Sequence, residues 1–180
     1  ALLAALLLVP GAGAAEYVET PSLAGRVAAD SLPPLAERVP DEPLVADLAA
    51  RGRAPGRHGG LMRMFVTRAK DVRYMSAYGY ARLAGYSHDY EIVPDLLHDI
   101  EVSEDGRSVT LHLREGHRWS DGAPFTAEDF RYWWEDVACN ERLAPKGPPV
   151  EMMVEGERPE FEVIDETTVR YTWTAPNPAF

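Results

Sequence analysis

Five histidines, one cysteine and 29 acidic residues are the side chains with which this 180-residue chain would have to do chemistry. The histidines are His58, His88, His98, His112 and His117, and no two take a His-x-His or His-x-x-x-His spacing. His112, His117 and Asp121 come nearest to a metal set. A closed structural site needs a fuller set of ligands, so these read as solvated strand and turn residues. Ser120 precedes Asp121, yet there is no Gly-x-Ser-x-Gly elbow and no Gly-rich phosphate loop. Carboxylates are so numerous that any two can be named an acid/base pair for glycoside hydrolysis, which makes the signal unspecific. The charged run at 155–158 is most simply a solvated loop. Cys139 has no second cysteine to pair with and no His or Lys beside it in sequence, so it reads as a small core residue. No catalytic residue, metal ligand or cofactor is expected.

Binding chemistry is better represented. Gly59 and Gly60 precede an apolar run, 61–66, that predicts a strand, and Arg68, Ala69, Lys70, Asp71 and Arg73 follow it. Ligands of open α/β sheets gather at strand carboxyl ends. Tyr74, Tyr78, Tyr80, Tyr86 and Tyr90 then give an aromatic-rich run. Tyrosine offers a flat apolar ring with a polar tip, suited to a ligand cleft. Half-buried packing is the competing reading for each tyrosine. The candidate ligand-contacting set is Arg68, Ala69, Lys70, Asp71, Tyr78 and Tyr80.

The elements that must carry these groups are legible further on. Val109, Leu111 and Leu113 alternate with Thr110, His112 and Arg114, the period of a half-buried strand. Asp105 and Gly106 predict a hairpin turn joining 100–103 to 108–113. Ser120, Asp121 and Gly122 predict another turn. Thr126 is placed to cap a helix, with Asp129 closing a capping box and Glu128 beside it in the first turn. Phe130, Trp133, Trp134 and Val137 then form one apolar stripe at α-helical spacing. Both tryptophans are expected in the core. A second hairpin is predicted from 161–164 and 169–174, with Val169, Tyr171 and Trp173 on one face.

A net charge of -11 argues against a general nucleic-acid binder, which needs a basic face, and self-repulsion keeps such a chain soluble. Residues 1–14 read as an incomplete export signal, an apolar run before the small residues Ala12, Gly13 and Ala14, with cleavage near Ala14 and Ala15. Residues 15–58, rich in Pro and Ala, predict an irregular surface arm with short helical turns. Residues 59–180 would then hold the domain proper.

The run at 111–137 resembles the signature of family 5 of the extracytoplasmic solute-binding proteins, the peptide-, nickel- and oligosaccharide-binding receptors of ABC importers. Arg114, Gly116, then Trp119, Ser120, Asp121 and Gly122, then Thr126, Glu128 and Asp129 carry the resemblance, which extends weakly over 59–180. In that family the signature is structural. Residues 94–97 resemble a further short element, with Leu97 where small residues are usual.

The resemblance implies an α/β fold within a two-lobed periplasmic binding protein. This chain would supply the start of the first lobe and its extra subdomain, with a mixed sheet, β-hairpins and the capped amphipathic helix. The family's remaining strands and second lobe would lie beyond Phe180. It implies that the loop after the first strand touches ligand. The function implied is capture of an oligopeptide or similar solute in the periplasm by a monomer, and delivery to ABC permease subunits. The competing readings are a secreted glycan or peptide hydrolase with its catalytic residues outside this sequence, and a non-transporting interaction module.

Overall fold

The computed structural model describes residues 17–61, 63–75 and 80–180. The expected export segment and Tyr78 lie outside the described residues. Two short helices come first, α1 (Pro21–Ala28) with proline in its first turn, and α2 (Leu35–Arg38). Proline suits that place because the first amides of a helix have no partner to lose. Neither helix buries a residue, and a Glu19–Arg38 ion pair joins them. The arm meets the body at Glu42, whose amide donates to the Glu115 carbonyl at 3.4 Å.

Two sheets follow. Strands β1 (Ala84–Tyr86) and β2 (Ile92–Pro94) form an antiparallel hairpin. Strands β3 (Leu97–Val102), β4 (Ser108–Leu113), β5 (Glu160–Val163) and β6 (Thr168–Thr172) form the main sheet in the order β3-β4-β6-β5. Every pairing among the described residues is antiparallel, which refines the expected mixed sheet. Val109 lies opposite Tyr171 and Leu111 opposite Val169. This register puts both predicted apolar rows on one face, and Val109, Leu111, Leu113, Val169, Tyr171 and Trp173 are all buried. Leu97 is 1% exposed, so the larger side chain at this position fills the core.

Thr110, expected on the wet face, is also buried. It sits on a central strand, where the neighbouring Arg170 lies across it and donates Nε–H to Thr110 Oγ1 at 3.1 Å. A long side chain with an apolar stem covers such positions while satisfying the hydroxyl.

Helix α3 (Ala127–Arg131) begins at the predicted cap. The Glu128 amide donates to Thr126 Oγ1 at 3.3 Å, and the Thr126 amide donates to Asp129 Oδ2 at 2.8 Å. Thr126→Ala removes one of these partners and is expected to cost about 1 kcal/mol, read as a lowered urea midpoint. The Ala127 amide donates to Glu166 O at 2.9 Å, which ties the helix start to the β5–β6 turn.

The helix then changes character. Residues Tyr132–Ala138 are π-helical, and the wider turn breaks the α-helical period on which the apolar stripe was read. Trp134 and Ala138 are buried, whereas Trp133 is 38% exposed. The expectation that both tryptophans enter the core is therefore corrected.

Two further expectations fail. No strand forms at 61 or 63–66, and Phe65 is fully exposed. An extended segment becomes a strand only where a neighbour pairs with its backbone, and no described residue supplies one. Tyr74, Tyr80, Tyr86 and Tyr90 are all exposed, so packing within this chain does not account for them. Among the described residues, no helix is long and apolar enough to cross a membrane.

Candidate functional site

The signature residues form a closed scaffold. Gly122, at φ 93°, takes the turn that its lack of a Cβ permits, and its amide donates to Trp119 O at 2.9 Å. Asp121 Oδ1 accepts from the Ala123 amide at 2.9 Å. The Asp129 carboxylate is the joint of the whole piece. One oxygen accepts from Trp119 Nε1 at 3.0 Å, the other from the Thr126 amide. The Trp119 ring stands edge-on to Phe125 at 5.1 Å. Ser120 is exposed and carries only turn chemistry. This arrangement orients a turn against a helix, and its polar groups are engaged with one another.

Of the predicted ligand-contacting residues, Ala69, Lys70 and Asp71 lie on a 3-10 turn, Ala69–Val72, with Arg68 just before it, rather than at the end of a strand. Asp71 is its buried member. Asp71 Oδ2 accepts from Thr67 Oγ1 at 3.0 Å and faces Arg68 Nε at 3.6 Å. Asp71 Oδ1 is enclosed and has no hydrogen-bond partner among the described residues. Arg68, Ala69 and Lys70 are exposed. Beside the turn, the Arg73 guanidinium lies 5.2 Å from the Tyr74 ring centre. Tyr80 is exposed beyond the turn.

The histidines are dispersed among different partners. His98 faces Glu42 of the arm at 3.8 Å, and His112 faces Glu101 at 3.5 Å. His117 Nε2 is buried without a hydrogen-bond partner among the described residues. Burial pushes this imidazole below its ordinary value, the Arg114 charge adds to the shift, and Asp95 opposes it. A depressed folded value means that the unfolded chain binds the proton more tightly. Its contribution to stability is full above the ordinary value of about 6.5 and is lost as pH falls through the folded value. Urea midpoints measured across that window are expected to fall with pH, and His117→Gln to flatten the fall.

Sequence reasoning missed one feature. A cavity of about 920 Å³ opens between the β1–β2 hairpin and the half of the sheet face that α3 leaves uncovered, with Tyr86, Ile92, Ile100, Val102, Leu111 and Phe180 along it. The alternation in 109–113 was visible, but the hairpin is too short to show a period. Only the Ser87–Glu91 turn, with its amide-to-carbonyl bond of 2.8 Å, marks it.

Comparison with known proteins bears on this architecture. Residues 91–180 match the family model described as bacterial extracellular solute-binding proteins, family 5 Middle. The periplasmic alpha-galactoside-binding protein of Rhizobium meliloti (strain 1021) is 32% identical over 166 residues, which is 82% of this chain and 24% of that protein. The periplasmic oligopeptide-binding protein OppA of Salmonella typhimurium (strain LT2) is 30% identical over 90 residues, 43% of this chain and 17% of that one. Among solved structures, an oligopeptide-binding protein OppA superposes with a TM-score of 0.76 at 33% identity, over 89% of this chain and 24% of its own. The periplasmic binding protein MelB of Agrobacterium fabrum C58, solved in complex with stachyose, gives 0.67 at 27% identity, over 92% of this chain and 28% of its own. The chain spans 24% of the length of the first of these relatives. With the family match covering the sheet, the capped helix and the joint at Asp129, the chain belongs to family 5 of the bacterial extracellular solute-binding proteins.

Proposed function

We propose that this chain is the first part of a receptor that captures a short oligomeric solute in the periplasm and delivers it to the permease of an ABC importer. The observation that carries this reading is the superposition on an oligopeptide-binding protein, with a TM-score of 0.76 over 89% of the chain. Relatives named for oligopeptides and for alpha-galactosides both support a solute built of several units. In this reading residues 1–14 are an export signal, 15–58 an arm on the outside of the domain, and 59–180 the beginning of the solute-binding domain. The receptor is a monomer that closes about a hinge when solute enters. Arg68, Ala69, Lys70 and Asp71, with Tyr78 and Tyr80, contribute the contacts of this part to the solute. Transport energy comes from the partner ATPase, and no residue here is catalytic.

Native mass spectrometry of the full-length protein from periplasm, before and after mild denaturation, tests the reading. A ladder of short peptides or a single sugar mass released on unfolding is the expected result. An empty protein whose melting temperature does not move with peptide or sugar mixtures would overturn it and favour the secreted hydrolase, whose mark is turnover of glycan or peptide.

A further inference from the structure

The arm and the polar face of the main sheet meet over a small cavity of about 320 Å³. Its ionisable lining is Glu42 of the arm, His98, Asp99 and Glu101 of β3, His112 of β4, and Glu115 just past β4. Docking sets like charges together here. The Glu42 amide donates to Glu115 O at 3.4 Å, and Asp41 beside it packs so closely on Gly116 that no Cβ fits between them. Two arm carboxylates therefore lie against a body surface that carries three more. The groups around this cavity that can offset them are histidines. His98 Nδ1 faces Glu42 Oε2 across the junction at 3.8 Å, and His112 Nε2 faces Glu101 Oε1 at 3.5 Å. His98 lies where the β3–β4 register shifts, between Leu97 and Asp99, and such an irregularity re-aims a side chain. His112 Nδ1 lies 3.4 Å from Thr168 Oγ1, while Nε2 is enclosed with no hydrogen-bond partner among the described residues. Arg114, next on the same face of β4, donates Nε–H to Asp95 O at 2.9 Å and does not line the cavity.

We propose that this cluster makes the arm a pH-sensitive strap, held on the domain more firmly in mild acid than in mild alkali. The inference stands apart from the receptor reading and does not depend on it. Histidine changes charge between about pH 5 and 8, a range in which carboxylates are ordinarily ionised. With both imidazoles neutral, docking brings Asp41 and Glu42 against Asp99, Glu101 and Glu115 with only like charge around the cavity. A proton on His98 or His112 turns this into an encounter of opposite charges. Proton uptake and docking therefore favour each other, so the extra hold is present at low pH and is lost as pH rises. The His98 and Glu42 side chains are 63% and 57% exposed, and exposed pairs are worth little each. The response is thus a change in how often the arm lifts, while the backbone bond to Glu115 keeps its register. The direction is opposite to that of His117, whose burial weakens the fold as pH falls, so the two responses are separable.

The test is limited proteolysis of the full-length protein by trypsin between pH 5.5 and 8. The rate of cleavage within 17–58 is divided at each pH by that of a free peptide of the same residues, which removes the protease's own pH response. The normalised rate is expected to rise about threefold to fivefold from the acid to the alkaline end, the scale of exposed charge pairs. Added NaCl should shrink the rise, since these charges are screened. The combined variant His98→Gln and His112→Gln should cleave at one fast rate throughout. Glu42→Gln should stay slow at pH 8, because it removes an arm charge that the pocket repels, whereas loss of a merely structural contact would speed cleavage. Should the double variant fail to fold, Glu42→Gln, at an exposed side chain of the arm, decides alone. A wild-type rate that is flat, or that falls with pH, would overturn the strap. The same rise in the double variant, or fast cleavage of Glu42→Gln at pH 8, would overturn the role of this cluster.

Discussion

Trp134→Ala is expected to cost about 3–5 kcal/mol, the range for deleting a large aromatic side chain from a core. Trp134 is 4% exposed. Its ring stands edge-on to Tyr171 at 5.8 Å and 87°, and tilted against Phe161 at 6.5 Å. Phe161 and Tyr171 lie opposite each other on β5 and β6 and are themselves 5.0 Å apart. The one side chain thus fixes the helix on the half of the sheet that it covers. Its removal leaves a cavity that the paired strands cannot close without giving up backbone bonds. Most domains hold a margin of only about 5–15 kcal/mol, so this single change takes a large share. Trp133→Ala, one residue earlier, is the control. That ring is partly wet, and its loss is expected to cost about 1–2 kcal/mol, since only partial burial is given up. Urea unfolding of both variants decides the matter. Equal losses would mean that both rings are packed in the core, as an α-helical period over 130–137 would place them.

Gly116→Ala is expected to cost about 2 kcal/mol and to loosen the arm. Gly116 has φ 80°, and a left-handed backbone penalises any residue with a Cβ by about 1–2 kcal/mol. A Cβ there would also collide with the Asp41 backbone nitrogen and meet Asp41 Oδ2 at 2.6 Å. Both approaches are closer than any real contact, and backbone cannot swing aside as the end of a long side chain can. Relief requires that the arm lift at Asp41, which breaks the bond from the Glu42 amide to Glu115 O. Limited proteolysis provides the readout. Cleavage within 17–58 should become faster than in the wild type, while the sheet stays intact. A variant with a lower melting temperature but an unchanged cleavage rate would mean that the arm is held elsewhere. Gly122→Ala separates the two costs. Its φ is 93°, yet nothing lies within 4 Å of the added Cβ, so it should lose stability through backbone strain alone and leave the arm in place.

Much of the sheet was legible because its signals are local. Strict alternation at 109–113 and 169–173 assigns a face to each residue whatever the partner strand, and the burial of both rows follows. The turns at Asp105–Gly106 and Ser120–Gly122 announce themselves by residue type, since short polar side chains and glycine take the backbone shapes that turns demand. The cap at Thr126 and Asp129 was readable for the same reason, because the spacing itself brings the two groups together. The site was less legible. Arg68, Lys70 and Asp71 stand out by type, but nothing in their order says that Asp71 is enclosed while its neighbours are wet.

The sequence by itself determined, then, the faces of β4 and β6, the turns, the capped helix start and, through the residues from Arg114 to Asp129, the family to which the chain belongs. Each rests on contacts between residues close in the chain. The tertiary structure decided which tryptophan is buried, because the change from α to π geometry shifts the helix face relative to the period. It decided that Thr110 is covered, because Arg170 arrives from 60 residues away. It also decided that 61 and 63–66 pair with no strand among the described residues, because a strand is defined by its neighbour's backbone, and that information is not carried by the segment itself.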